Sequence, residues 1–265
     1  MNIESYFKRE ASMSAMSIGI GLTQLRKYNF AQIGYFYNAL YSITTGMERL
    51  LKIIFIYDFR LKNNDSIPNN YQIKQFGHNI EQLYDNAVKI STVHSFNIDT
   101  SFYKNDNIYV KVINLLSDFA KETRYYNLDI ITGKTSSKAE PLNEWDSKIN
   151  TEILNRHYRP SKKRLEEIKL MTELLNGHML VRHEDETGKD INTPKNFLNE
   201  SDKSKMKQKY SVYYVYILIR FLSKLLTELE YKGNFYPYLR EFFWIFEIED
   251  KSVIIRRKTW DIYHL

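Results

Sequence analysis

Apolar residues recur at helical spacing along most of the chain. Between 31 and 59, Tyr35, Leu40, Ile43, Met47, Leu50, Ile54 and Tyr57 form one broad stripe, which predicts a long, deeply buried helix. The polar run at 63–70 (Asn-Asn-Asp-Ser-Ile-Pro-Asn-Asn) is a turn-forming linker. A second helix is predicted over 71–90, with Ile73, Phe76, Ile80, Leu83 and Ala87 facing inward. Residues 91–104 read as irregular. A third helix starts near Asp106, uses Ile108, Val112, Leu115, Leu116 and Phe119, and runs into Arg124. The loop at 132–137 precedes Pro141, which suits the first turn of a helix holding Leu142, Trp145, Ile149 and Ile153. Pro160 opens the next, through Leu165, Ile168, Met171 and Leu175, closing near Gly177. No element is assigned to residues 1–30.

The polar stretch 183–203 contains Pro194 and reads as a mobile connection to a long helix over 204–230 and a short one from Pro237. The chain end changes texture. Trp244-Ile245-Phe246-Glu247-Ile248, then Glu249-Asp250-Lys251, then Ser252-Val253-Ile254-Ile255 predicts two strands around a tight turn. An isolated hairpin is marginal, so it would have to pack on the helices. The expectation is therefore a mainly α chain: an up-and-down helical bundle over 1–135, and a helical extension over 136–265 that ends in a small terminal β-hairpin. The two parts are expected to pack as one globular unit.

Composition narrows this picture. With 265 residues, 43% apolar and 15% aromatic, the chain has material for a proper core. Cysteine is absent, which removes disulfides and thiolate chemistry and suits a reducing, cytoplasmic setting. The start has no basic region followed by an apolar one, so no secretory signal is read. The most apolar run, 212–222, is broken by Arg220 and falls short of the ~20 residues a membrane-spanning helix needs. The net charge of +6 permits a polyanionic partner without requiring one. Lys203, Lys205, Lys207 and Lys209 are dense, yet alternate positions spread around a helix, so they read as a solvated helix start.

Familiar catalytic templates are missing: there is no P-loop, no glycine-rich dinucleotide turn and no Gly-x-Ser-x-Gly elbow. The six histidines show no zinc-binding spacing, so neither a metal nor a cofactor is expected. Three features remain. Glu48 and Lys52 form an i, i+4 pair within Gly46-Met47-Glu48-Arg49-Leu50-Leu51-Lys52; Glu48 either closes that surface pair or points inward to orient a charged partner. His78, beside Gly77, is either a packed histidine or a proton-transfer group. Arg124, in Arg124-Tyr125-Tyr126-Asn127 with Asp129 beyond, offers a forked cation that can hold a phosphate; alternatively it pairs with Glu48 or Asp129 and locks the bundle.

In this order, over roughly residues 30–135, these features resemble the HEPN domain, the higher eukaryotes and prokaryotes nucleotide-binding domain. Such domains are small helical bundles, often dimeric, and many are metal-independent ribonucleases of bacterial toxin, abortive-infection and antiviral defence systems. The resemblance implies RNA or a nucleotide as ligand, a homodimer, and a possible partner protein of a defence system. The family signature is an Arg followed after four to six residues by a His, the Arg holding the phosphate while the 2′-hydroxyl attacks. Arg124 is the residue that carries over. After four to six intervening residues beyond it stand Asp129, Ile130 and Ile131, none of them His. Asn127 and Asp129 are its polar neighbours, and His78 is the imidazole available from another helix. The spacing Arg257 to His264, in the predicted strand and tail, is discounted as a chance match. Two readings follow: a metal-independent endoribonuclease with Arg124, His78, Asn127, Asp129 and Glu48 as candidate residues, or a non-catalytic binding or assembly module in which Arg124 is structural.

Overall fold

The chain opens with a helix that the apolar pattern alone does not announce. In the structure, a computed structural model that describes residues 2–135 and 137–262, α1 spans Ile3–Lys27 and α2 spans Gly34–Lys62. Their contact is the most extensive between any two elements among the described residues. The inward face of α1 is built largely from small residues, Ala11, Ser14, Ala15, Gly19 and Gly21, with Ile18 and Leu22. Small side chains let the two backbones approach closely. A Cβ on Gly46 would lie 2.7 Å from Ile18 Cγ1 and 2.8 Å from the Ser14 carbonyl oxygen. The Ser14 hydroxyl uses this proximity and donates to the Gly46 carbonyl at 2.7 Å.

The predicted helix over 71–90 is two helices. The short α3 (Asn70–Lys74) and α4 (Ile80–Val93) are separated at Gly77, whose φ of +52° lies in the left-handed region that ends helices. Asn79 then caps α4, accepting from the Gln82 N–H at 3.1 Å. Within the segment read as irregular, α5 (Ser101–Asn105) forms one short turn and leads into α6 (Asn107–Lys121), capped by Asp106. Beyond α6, a 3₁₀ turn over Thr123–Tyr125 runs into α7 (Tyr126–Ile131). The loop read at 132–137 includes Ser136, which lies outside the described residues.

Pro141 opens α8 (Pro141–Trp145), which continues through a π-helical stretch, Asp146–Asn150, into α9 (Thr151–His157). α10 spans Lys162–Leu175, with Ser161 as its cap. Next come two short antiparallel strands, β1 (His183–Glu184) and β2 (Asp190–Ile191). The long helix α11, Pro194–Gly233, begins ten residues earlier than its apolar stripe. Pro194 occupies its first turn and Thr193 caps it, accepting from the Asn196 N–H. The stretch read as a mobile connection is thus a hairpin followed by a helix start. Nor are the lysines at this start all solvated. Lys207 is buried, with Nζ 3.0 Å from both Asp146 and Glu186.

The fold is mainly α, but its small hairpin lies at 183–191 and not at the terminus. Residues Trp244–Glu247 form a 3₁₀ turn and Lys251–Arg256 form α12. Asp250, read as part of a hairpin turn, is instead a helix cap whose side chain accepts from the Ser252 N–H at 2.7 Å. A short apolar run does not by itself distinguish a strand from a buried helical turn. One cluster of buried apolar residues extends from Ala11 to Trp260, and α11 runs through it against α1, α2 and α6. Among the described residues, no helix is long and apolar enough to cross a membrane.

Candidate functional site

Four polar or aromatic residues of α2 lie along one outward stripe: Tyr37, Tyr41, Glu48 and Lys52. Their spacings of four, seven and four residues keep them on a single helical face. Two chain reversals dock on this stripe, the Gly77 turn before α4 and the 3₁₀ turn after α6.

The Gly77 turn delivers His78 to Glu48. His78 Nδ1 lies 2.9 Å from Glu48 Oε2, and Lys52 Nζ lies 2.7 Å from Oε1. Glu48 therefore closes the i, i+4 pair and also meets His78, but it does so on the outward side of α2 and not by pointing into the bundle. Its side chain is 15% exposed, whereas that of His78 is 65% exposed. Burial alone would raise the Glu48 carboxyl, but hydrogen bonds from Lys52 and His78, and their charges, outweigh it and hold the group below the usual carboxylate range. The turn is braced from behind. The Asn79 side chain accepts from the Ser117 hydroxyl at 3.1 Å, and that hydroxyl accepts from the Glu81 N–H at 3.2 Å.

The second reversal places Arg124 over Tyr41. The guanidinium carbon lies 5.1 Å from the ring centroid, within cation–π range. Neither ion pair expected for it is formed. Glu48 is taken by Lys52 and His78, and Asp129 pairs with Lys134 at 2.8 Å. Among the described residues no carboxylate lies within 4.0 Å of Arg124, and its Nε is buried without a hydrogen-bond partner. A half-buried guanidinium held on an aromatic ring and free of carboxylates keeps its capacity for an anion.

Asn127 lies further along the stripe, beside Tyr37, whose phenol donates to Glu140. Burial and Glu140 raise that phenol well above its ordinary pKa. Both residues line an open groove of about 730 Å³ bordered by the β1–β2 hairpin.

The structure thus brings Glu48 and His78 into contact and sets Arg124 and Asn127 along the same stripe; Asp129 turns away to Lys134. From Tyr41 to Glu48 is seven residues, a rise of roughly 10 Å along α2. Sequence reasoning gave no role to Tyr41, the platform for Arg124, and missed Ser117, which braces the Gly77 turn. The repeated four- and seven-residue spacing from Tyr37 to Lys52 was a legible signal for the first; nothing local marks the second. His264 lies outside the described residues.

Chemically, a neutral His78 that donates from Nδ1 to Glu48 presents Nε2 to solvent as an acceptor, the arrangement of an oriented general base. No group of three or more acidic or histidine side chains among the described residues is arranged to hold a metal ion. No family model, curated protein or solved structure matches the chain.

Proposed function

We propose that this protein is a HEPN-like, metal-independent endoribonuclease whose strand-binding face is the outward stripe of α2. The observation that carries the reading is the Glu48–His78 contact on the same face as an arginine that no carboxylate among the described residues neutralises. In this mechanism, Glu48 holds the imidazole so that Nε2 takes the proton from a ribose 2′-hydroxyl. The oxygen attacks the adjacent phosphorus, the bond to the 5′-oxygen breaks, and that oxygen regains a proton from the imidazolium. The products are a 2′,3′-cyclic phosphate and a 5′-hydroxyl. Arg124 holds a backbone phosphate of the same strand. A homodimer and a role in a bacterial toxin or antiviral system belong to this proposal through the family resemblance.

Purified protein incubated with total RNA and tRNA in chelator, beside His78→Ala and Arg124→Ala, tests it. Cleavage by the wild type that His78→Ala abolishes supports the reading; no cleavage, or equal cleavage by all three, rejects it. The absence of a histidine four to six residues after Arg124 favours a second reading, in which the face binds RNA or a nucleotide without cutting. That reading predicts Arg124-dependent binding and intact RNA.

A further inference from the structure

On another helix, one face of α11 repeats aromatic and basic residues. Tyr210, Tyr213, Ile217, Arg220 and Lys224 fall at alternating three- and four-residue spacings, so they share a single side of the helix. Part of this side lines a shallow cavity of about 160 Å³ with Phe102 and Tyr109. At its other end, His157 lies flat against Tyr210, with centroids 3.6 Å apart and planes 4° from parallel, and its Nε2 is 2.9 Å from the Tyr214 hydroxyl. Lys251, from α12, reaches over the rings of Tyr213 and Tyr210, at 4.9 and 5.5 Å from their centroids.

The charges at this face are unevenly matched. Arg156 is held by Asp106 and Glu152, and Lys224 by Glu249. Three other cations have no carboxylate within 4.0 Å among the described residues. Arg159 donates to the Asn155 and Tyr158 carbonyls, Arg220 donates to the Ile248 carbonyl, and Lys251 rests on the tyrosine rings. Asp99 is the remaining acid at the cavity, opposite Arg220. His157 registers this excess. Burial, and then Lys251, Arg156 and Arg159, push its imidazole down to about 4, so it is uncharged at neutral pH.

We infer that this face is a second nucleic-acid contact, which takes a single-stranded segment with a base against Tyr213 and its phosphates on Arg159, Arg220 and Lys251. Aromatic rings interleaved with unneutralised cations are what a single strand requires: stacking surfaces for bases, which any base can use, and a cationic track for the backbone. An acidic peptide would satisfy the cations but offer Tyr213 no base to stack on. The choice of RNA rests on the ribonuclease reading, whereas the surface itself is independent of cleavage.

The test uses the full chain carrying His78→Ala, so that RNA survives, and a fluorescent oligouridylate of about a dozen nucleotides followed by anisotropy at low salt. The expected result is that Arg159→Glu with Lys251→Glu, both exposed residues, weakens binding at least about tenfold, since each lost phosphate contact costs affinity and salt dependence. Saturating RNA should also raise the titration midpoint of His157, read by histidine NMR, because bound phosphates offset the cations around it. Binding unchanged by the double reversal, or an oligoglutamate peptide displacing the RNA at equal charge concentration, overturns the inference. The two proposals fail separately. Wild-type cleavage with reversal-insensitive binding removes only this surface, whereas reversal-sensitive binding without cleavage removes only the nuclease.

Discussion

The Glu48 carboxylate meets the His78 imidazole at 2.9 Å across 30 residues of chain, one partner largely buried and the other largely exposed. That asymmetry is what an oriented proton-transfer group needs: the carboxylate fixed in the fold, the ring presented to a ligand. If Glu48 acts only by orienting His78, Glu48→Gln keeps the fold and lowers RNA cleavage by about tenfold. Loss of the base itself in His78→Ala should cost ~10²-fold or more. Single-turnover cleavage rates of the two variants check the ordering.

Arg124 is bound to an aromatic ring and, among the described residues, to no carboxylate. Arg124→Ala should therefore cost only about 0.5–1 kcal/mol of stability, the scale of an exposed cation–π contact. Breaking a buried ion pair would cost about 3–5 kcal/mol. Urea unfolding separates these outcomes. Arg124→Lys should not restore RNA binding, because an ammonium lacks the planar fork.

Gly46 is a packing residue beside the site. Its missing side chain admits Ile18 and the Ser14 carbonyl, so Gly46→Ala forces α1 and α2 apart and should destabilise by about 1–3 kcal/mol. Gly34, with open space where a Cβ would sit, is the control, and Gly34→Ala should leave the urea midpoint nearly unchanged.

Glu230 gives the fold a pH dependence. Its buried carboxylate accepts from the Leu239 and Arg240 N–H groups and faces Arg240 Nη1 at 3.2 Å. Burial raises its pKa from 4.5 to about 7, more than those hydrogen bonds and the Arg240 charge lower it. The folded state thus holds this proton more tightly than the unfolded chain does. The resulting stability is present in full below about 4.5 and is lost as pH rises through about 7. Melting temperatures from pH 5 to 8 should fall in the wild type and fall less in Glu230→Gln.

Much of this fold could be read from apolar periodicity, because α2, α4 and α6 bury large residues at helical spacing. α1 escaped because its buried face relies on alanine, serine and glycine, which carry little hydrophobic signal but are required where two helix backbones nearly touch. The terminal hairpin was misread because Trp244 to Ile255 is apolar and short, and only the Asp250 cap reveals a helix there. At the site, Arg124, His78 and Glu48 stood out by residue type. Their arrangement did not, since the meeting of His78 and Glu48 depends on the left-handed Gly77 turn, and the freedom of Arg124 depends on which carboxylates other cations have already taken.

The most direct test of the account is cleavage of tRNA in excess chelator by the wild type and by His78→Ala, with product ends analysed. The account predicts metal-free cutting that leaves 2′,3′-cyclic phosphates and disappears in His78→Ala. Uncut RNA with the wild type, or cutting that His78→Ala leaves intact, would contradict it.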